Sequence, residues 1–534
     1  MQWTKKALIL GLFLAPALSV AGKELRIPPV PCSTAWGPTP EDYLYNHSID
    51  GNYETYLQRL GHNRTERLSC RKAWTLLVYM SVTSDLAPYA VADQLEMELP
   101  TAGSGVRTDI IVQVNNIRSR QSQRLHMFKN ANATEKPLTK KEVLQLLENQ
   151  IFSPIVSRFP KDMSESEGDR LKAFIKWGME NYPAEHYGLV IWGHGQAWKG
   201  VDTNSDSGVK RRFGKAAVIT QKELDLPNIR DVLKTTKKLR STPIELLITD
   251  TCLMHSMEDM TELSKYIQYG CGSPGIQSSA GNQYGDLICR LNNKDYCDVK
   301  NTLLSHMEKS GIASEDTDFS EPHLVSALVP FLYKLSFDPK TGSQTHIDPL
   351  ACEDLIECTV SAKHLYWSLV PSLNDLGNAL IRYIKENPDL EQDRWMDVRL
   401  AMKKEKDPFP GGTQDLGGFL KHLNTLIFEK SEEAPSPARD SLKKALVTSR
   451  DALNYTVVLA VFGTKYPQFD TSTEFGPRGL AIWLPQTYQD YRAQIADISN
   501  SKLYLSGMDE QNPGWAKWME LMYPDPAIQP WMIQ

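Results

Sequence analysis

Two short stretches carry the residue types that nucleophilic catalysis needs. One is Trp192-Gly193-His194-Gly195-Gln196; the other is Thr249-Asp250-Thr251-Cys252-Leu253-Met254. Each follows an aliphatic run of strand length, 188–192 (GLVIW) and 244–249 (IELLIT). In an open parallel sheet, functional groups gather at the carboxyl ends of the strands. A His past one such end and a Cys past another would face one crevice. A thiol attacks only as a thiolate, and a nearby imidazole or a helix N-terminus lowers its pKa. Leu253, Met257, Met260, Leu263 and Ile267 recur at helical spacing, so Cys252 is expected where a helix begins. His194 would take the thiol proton and return it to a leaving amine. The backbone N–H groups of Gly195 and Cys252 would form an oxyanion hole. Alone, such a His is ordinarily a loop residue and such a Cys a buried apolar group or half a disulfide. The pair at two strand ends is what carries the catalytic reading. His255, about one helical turn past Cys252, reads as a helix-surface or packing residue, and His186 has no evident role.

The elements that must position this pair are legible as near-continuous apolar runs: 76–80 (LLVYM), 109–114 (DIIVQV), 188–192 and 244–249. Strands covered on both faces of a parallel sheet read this way. Helical patterns at 90–98 and 169–182 lie between them, the second with Leu171, Phe174, Ile175, Trp177 and Met179 on its apolar side. This alternation predicts an α/β domain with a mostly parallel central sheet. A helix is expected over 365–384, a polar Pro-containing linker over 429–439, and strands over 456–462 and 479–484. The tail, with Trp515, Trp518 and Trp531, is expected to pack back on the protein.

The 534 residues, 41% hydrophobic and 23% charged, supply a sizeable core and exclude wholesale disorder. A formal net charge of −6 argues against nucleic acid or an anionic membrane as the main partner. Lys5 and Lys6, the apolar run 7–20 and the small residues Ser19 and Ala21 read as an export signal cleaved after Ala21. That run is too short to span a bilayer, so no stable membrane insertion is expected. The expected organisation is a signal peptide (1–21), an N-terminal extension (22–72), a catalytic core (73–290), the remainder of the core with helical insertions (291–490) and a tail (491–534). None of the eight cysteines sits in a C-x-x-C pair, which argues against structural zinc. Cys289 with Cys297, Cys352 with Cys358 and Cys32 with Cys70 are candidate disulfides, although spacing does not fix connectivity.

The chain resembles the clostripain family of cysteine endopeptidases, within the caspase-like clan. Five stretches carry the resemblance: 74–80 (WTLLVYM), 84–98 (SDLAPYAVADQLEME), 187–198 (YGLVIWGHGQAW), 245–254 (ELLITDTCLM) and 479–486 (GLAIWLPQ). It implies a caspase-like α/β/α sandwich and gives the catalytic dyad to His194 and Cys252. The acid two residues before the Cys, here Asp250, would hold a basic P1 side chain. The physical chemistry agrees, because a carboxylate at a pocket base pairs with Arg or Lys. One departure concerns the stretch after the Cys segment, where the family usually carries acids. Here 271–282 reads CGSPGIQSSAGN and has none, which leaves the substrate-side wall open.

The resemblance also implies self-cleavage after a basic residue between the His and the Cys. Lys210, Arg211 and Arg212, in a polar loop, are the candidate site. Asp202, Asn204 and Asp206 alternate in the same loop and could ligate Ca²⁺, although no cofactor is needed for the chemistry. The expected function is an exported cysteine endopeptidase cutting protein or peptide substrates after Arg or Lys. Two other readings stay open on the sequence: a catalytically silent peptide-binding member, and an exported α/β ligand-binding protein with Cys252 in a disulfide.

Overall fold

A computed structural model describes residues 68–105, 107–116, 121–130, 132–133, 138–160, 165–196, 200–202, 224–292, 321–337, 356–402, 412–463, 474–492 and 513–524. Its strands in chain order are β1 (Lys72–Val82), β2 (Thr108–Asn116), β3 (Gln121–His126), β4 (Ile155–Pro160), β5 (Ala184–Trp192), β6 (His194–Gly195), β7 (Val201–Asp202), β8 (Ile244–Asp250), β9 (Ile267–Gly272), β10 (Ile356–Ser361), β11 (Thr413–Asp415), β12 (Val457–Phe462) and β13 (Ala481–Trp483). Nine of them form one sheet in the order β12-β10-β9-β8-β5-β1-β2-β3-β4. The central five, from β9 to β2, are parallel, and antiparallel strands extend the sheet on both sides. Buried side chains from alternate strand positions feed two apolar layers. In β1, Leu77 and Tyr79 enter one layer, while Leu76, Val78 and Met80 enter the other. A sheet buried on both faces is the physical meaning of the continuous apolar runs. The expected α/β/α sandwich is what these layers build.

The register sets where chemistry can occur. Met80 pairs with Trp192 across β1 and β5, and Trp192 with Asp250 across β5 and β8. The chain therefore leaves all three strands at one level. Helices Ala87–Met97 and Glu167–Asn181 fall within three residues of their expected starts. The second is capped by Ser166, whose hydroxyl accepts from the Asp169 N–H, satisfying one of the free donors of the first turn. The second half of the chain adds β10 and β12 to the sheet and the helices Pro322–Ser336, Val370–Lys385 and Pro437–Thr456 to its faces. Trp515 and Trp518 are buried against Phe419, as expected of the tail, while Trp531 lies outside the described residues. Among the described residues, no helix is long and apolar enough to cross a membrane.

The cysteine pairings need one correction. Cys358 is a free thiol, buried in β10, and donates to the Arg478 carbonyl at 3.4 Å, so it is not bonded to Cys352. The sheet explains this, since Cys358 sits in the β10 ladder against β9 and β12 with its side chain in the core. Cys70 and Cys289 are disulfide-bonded, to partners outside the described residues.

Several carboxyls are taken out of water as the layers close. Burial is the main cause that pushes Glu98, Glu258 and Asp259 up to about 7 and Asp250 and Asp415 up to about 6. A carboxyl whose folded pKa lies above its unfolded value binds more protons in the folded state through that interval. Stability then falls as pH rises from about 4 to about 7. Asp109 works the other way. Burial raises it, but Lys72 at 2.6 Å and His126 at 3.0 Å outweigh this and hold it at about 2, so its contribution is lost only below about pH 4. The melting temperature is therefore expected to drop between pH 5 and pH 7.5. Thermal melts across that interval check this, and a flat or rising series would contradict it.

Candidate active site

The β5 strand ends in Gly193, at φ 150°, a backbone conformation that favours glycine. Its N–H donates to the Asp250 carbonyl at 3.3 Å, stapling the His loop to the end of β8. His194 and Gly195 then pair with Asp202 and Val201 in a two-stranded ribbon. A Cβ on Gly195 would overlap the Cys252 carbonyl, so the two backbones touch. The predicted site residues His194, Gly195, Asp250 and Cys252 are thus brought to one place.

Cys252 is a half-buried free thiol. It lies in a turn, with Leu253 at φ 67° and the Leu253 N–H donating to the Gly275 carbonyl at 2.9 Å. The expectation that a helix begins at Cys252 is corrected here. The helix is Met257–Leu263, started by the capping box of Ser256 and Asp259, and Ile267 opens β9. Local capping chemistry overrode the apolar period, which ran across turn, helix and strand alike. The helix terminus therefore does not touch the thiol. Burial, and then the Asp250 charge, push Cys252 above its ordinary pKa, against the Gln277 backbone N–H, which donates to its sulfur at 3.4 Å.

His194 Nε2 lies 2.8 Å from Asp85 Oδ2, and Thr83 Oγ1 donates to the other oxygen of that carboxylate at 2.6 Å. Burial raises Asp85, but these two hydrogen bonds outweigh it and hold the carboxyl below its ordinary range. Asp85 leaves the end of β1 as His194 leaves β5, a placement that sequence reading passed over although 84–98 was among the stretches of resemblance. His255 is buried, no hydrogen bond reaches its ring, and burial pushes its pKa down to about 3. It is a neutral packing residue. His186 packs its ring against Trp74.

Asp250 is buried in the floor beside Cys252. Its Oδ2 accepts from the Asn282 N–H at 3.1 Å and from the Tyr284 hydroxyl at 2.5 Å. Asp93 accompanies it, accepting from Trp192 Nε1 at 2.7 Å. A Cβ on Gly281, at φ 63°, would stand 3.0 Å from an oxygen of each carboxyl. Burial, and then the charge of Asp250, keep Asp93 well above the usual carboxylate range.

Asp202 stands in β7. Asn204, Asp206, Lys210, Arg211 and Arg212 lie outside the described residues, as does the signal segment. Among the described residues, no group of three or more His, Cys, Asp or Glu is arranged to hold a metal ion.

Residues 78–315 match the clostripain family model, Peptidase_C11. This stretch is similar to the clostripain family. The match spans β1 to β9 and both strand-end motifs, and it bears out the resemblance seen in the sequence. No curated protein matches the chain. Two solved structures similar to it are a secreted C11 cysteine protease from Bacteroides thetaiotaomicron in complex with an irreversible peptide inhibitor and an inactive zymogen C11 protease from Parabacteroides distasonis. The first is 14% identical, with 82% of this chain and 99% of that chain covered and a TM-score of 0.47. The second is 13% identical, with 81% and 97% covered and a TM-score of 0.47.

Proposed function

We propose that the chain is an exported cysteine endopeptidase that cuts peptide bonds after Arg or Lys. The observation that carries this reading is the contact of Gly195 with the Cys252 backbone, which joins the two strand ends into one site. His194 Nε2 is engaged by Asp85, which leaves Nδ1 to accept the thiol proton. The thiolate of Cys252 attacks the scissile carbonyl, and the oxyanion forms against the N–H groups of Gly195 and Cys252. The imidazolium returns its proton to the leaving amine, and water then releases the acyl group. A free Cys252 speaks against the reading in which it is half of a disulfide. Asp250 is the acid toward which a P1 cation points. Export rests on the N-terminal signal pattern, and maturation on self-cleavage at Lys210, Arg211 or Arg212.

Short peptides with Arg, Lys or Asp at P1 test the reading: Arg and Lys are expected to be cut, and Asp spared. Truncating one partner of a buried charge pair typically costs ~2–5 kcal/mol, so Asp250→Ala should lower kcat/KM on basic P1 by about two orders of magnitude. An unchanged preference in Asp250→Ala would make that residue structural.

A further inference from the structure

We propose that Glu357, on β10, is a second specificity carboxylate of the Cys252 site, supplying the acid that the segment 271–282 lacks. The inference rests on the proposed basic P1 preference and names a residue for it outside the family-matched segment.

The register carries the placement. Cys358 stands opposite Gly272, the last residue of β9, so Glu357 is one step further, level with Ser273 just past the carboxyl end of that strand. This is the end of the sheet where Cys252 and Asp250 lie. Glu357 is 0% exposed, and among the described residues no donor beyond the nearby Asn282 side chain is placed to reach its carboxyl oxygens. A buried carboxyl so short of donors is costly and uncommon.

Its neighbours are buried polar groups too. The side-chain amide of Gln277 is buried and makes no hydrogen bond among the described residues, and that of Asn282 is buried beside the carboxyls of Asp250 and Glu357. Gln277 is also the residue whose backbone touches the Cys252 sulfur. Tyr333, whose hydroxyl accepts from the Ser278 N–H at 3.2 Å, feels the charges of Glu357, Asp250 and Cys252 together. These groups therefore share one small space beside the nucleophile. Burial, and then the charge of Asp250, raise Glu357 well above the ordinary carboxylate range, while the Asn282 side chain favours its charged form.

Among the described residues, no Lys or Arg pairs with Asp93, Asp250 or Glu357. Two neutral amides and a carboxyl with open hydrogen-bonding positions suit a ligand that brings both positive charge and N–H donors. A Lys ammonium or an Arg guanidinium is such a ligand. Asp250 Oδ2 is already held by the Asn282 N–H and Tyr284, whereas the Glu357 carboxyl has only the Asn282 side chain beside it among the described residues and keeps positions for incoming donors.

Glu357→Gln keeps the shape and removes the charge. The full chain and this variant would be assayed on matched peptides with Arg, Lys or Met at P1, beside Asp250→Asn. The expected result is a loss of about tenfold or more in kcat/KM on Arg and Lys, mostly in KM, with Met unaffected. The melting temperature should hold, because the amide keeps the shape of a carboxyl whose charged form burial already disfavours. Unchanged cleavage after Arg and Lys in Glu357→Gln, with loss in Asp250→Asn, would overturn the role of Glu357 and leave the basic preference standing. A wild-type chain that does not favour Arg or Lys over Met would overturn both.

Discussion

Cys252→Ala is expected to abolish peptide cleavage while the chain stays folded. Among the described residues the sulfur's hydrogen bonds go to the Gln277 backbone, at 3.8 Å to the carbonyl and 3.4 Å from the N–H, and a methyl at the same half-buried turn replaces a small group with a small one. The chemistry has no substitute, because no other free thiol among the described residues is placed to act. Cys271 and Cys358 are fully buried, and burial drives both thiols far above their ordinary pKa. A loss of at least about three orders of magnitude in kcat is expected. The same variant reports on maturation. A wild-type chain cut within or beside Lys210-Arg211-Arg212 should appear as two associated fragments, while the variant stays whole. Near-normal turnover in Cys252→Ala would sink the assignment of the nucleophile, and cleavage of the variant chain would point to a different protease.

His194→Ala should cost a comparable factor, since nucleophile and base act as a unit and their losses do not add. The thiol makes this dependence acute: Cys252 is pushed toward its neutral form by burial and by the Asp250 charge, with no helix terminus against it. Asp85→Asn should fall between wild type and His194→Ala, with kcat reduced and KM unchanged. The amide can still contact the ring but no longer stabilises an imidazolium or selects one tautomer. A KM effect without a kcat effect in Asp85→Asn would mean that Asp85 binds substrate rather than orienting the ring. Activity in His194→Ala near that of wild type would remove the base from the mechanism.

The parts of this site that could be read in advance are those written in contiguous residues. The strands β1, β2, β5 and β8 are apolar on both faces, so no periodicity had to be resolved, and His194 and Cys252 sit at their ends. The strand β3, read QSQRLH, is polar toward one side and carried no such signal. The strand β9 was absorbed into an apparent helical period because Ile267 fell in phase with Met260 and Leu263. The pairings His194 with Asp85 and Glu357 with the Cys252 pocket join residues 109 and 105 positions apart in the chain. Neither acid is marked by its own residue type or spacing as a site residue, and the order of strands in the sheet brings each to the site.

That order also bears on how the chain can be divided. Among the described residues, β9 is the last strand of the family-matched segment, and its outer hydrogen-bonding groups are taken up by β10, with β12 beyond it. A fragment ending near residue 315 would keep both strand-end motifs but present β9 as a bare edge, open to pairing with another copy of itself. Cys252 and His194 would survive such a cut in sequence while the solubility of the fragment would not. Expression boundaries are therefore better drawn beyond Phe462 than at the limit of recognisable kinship.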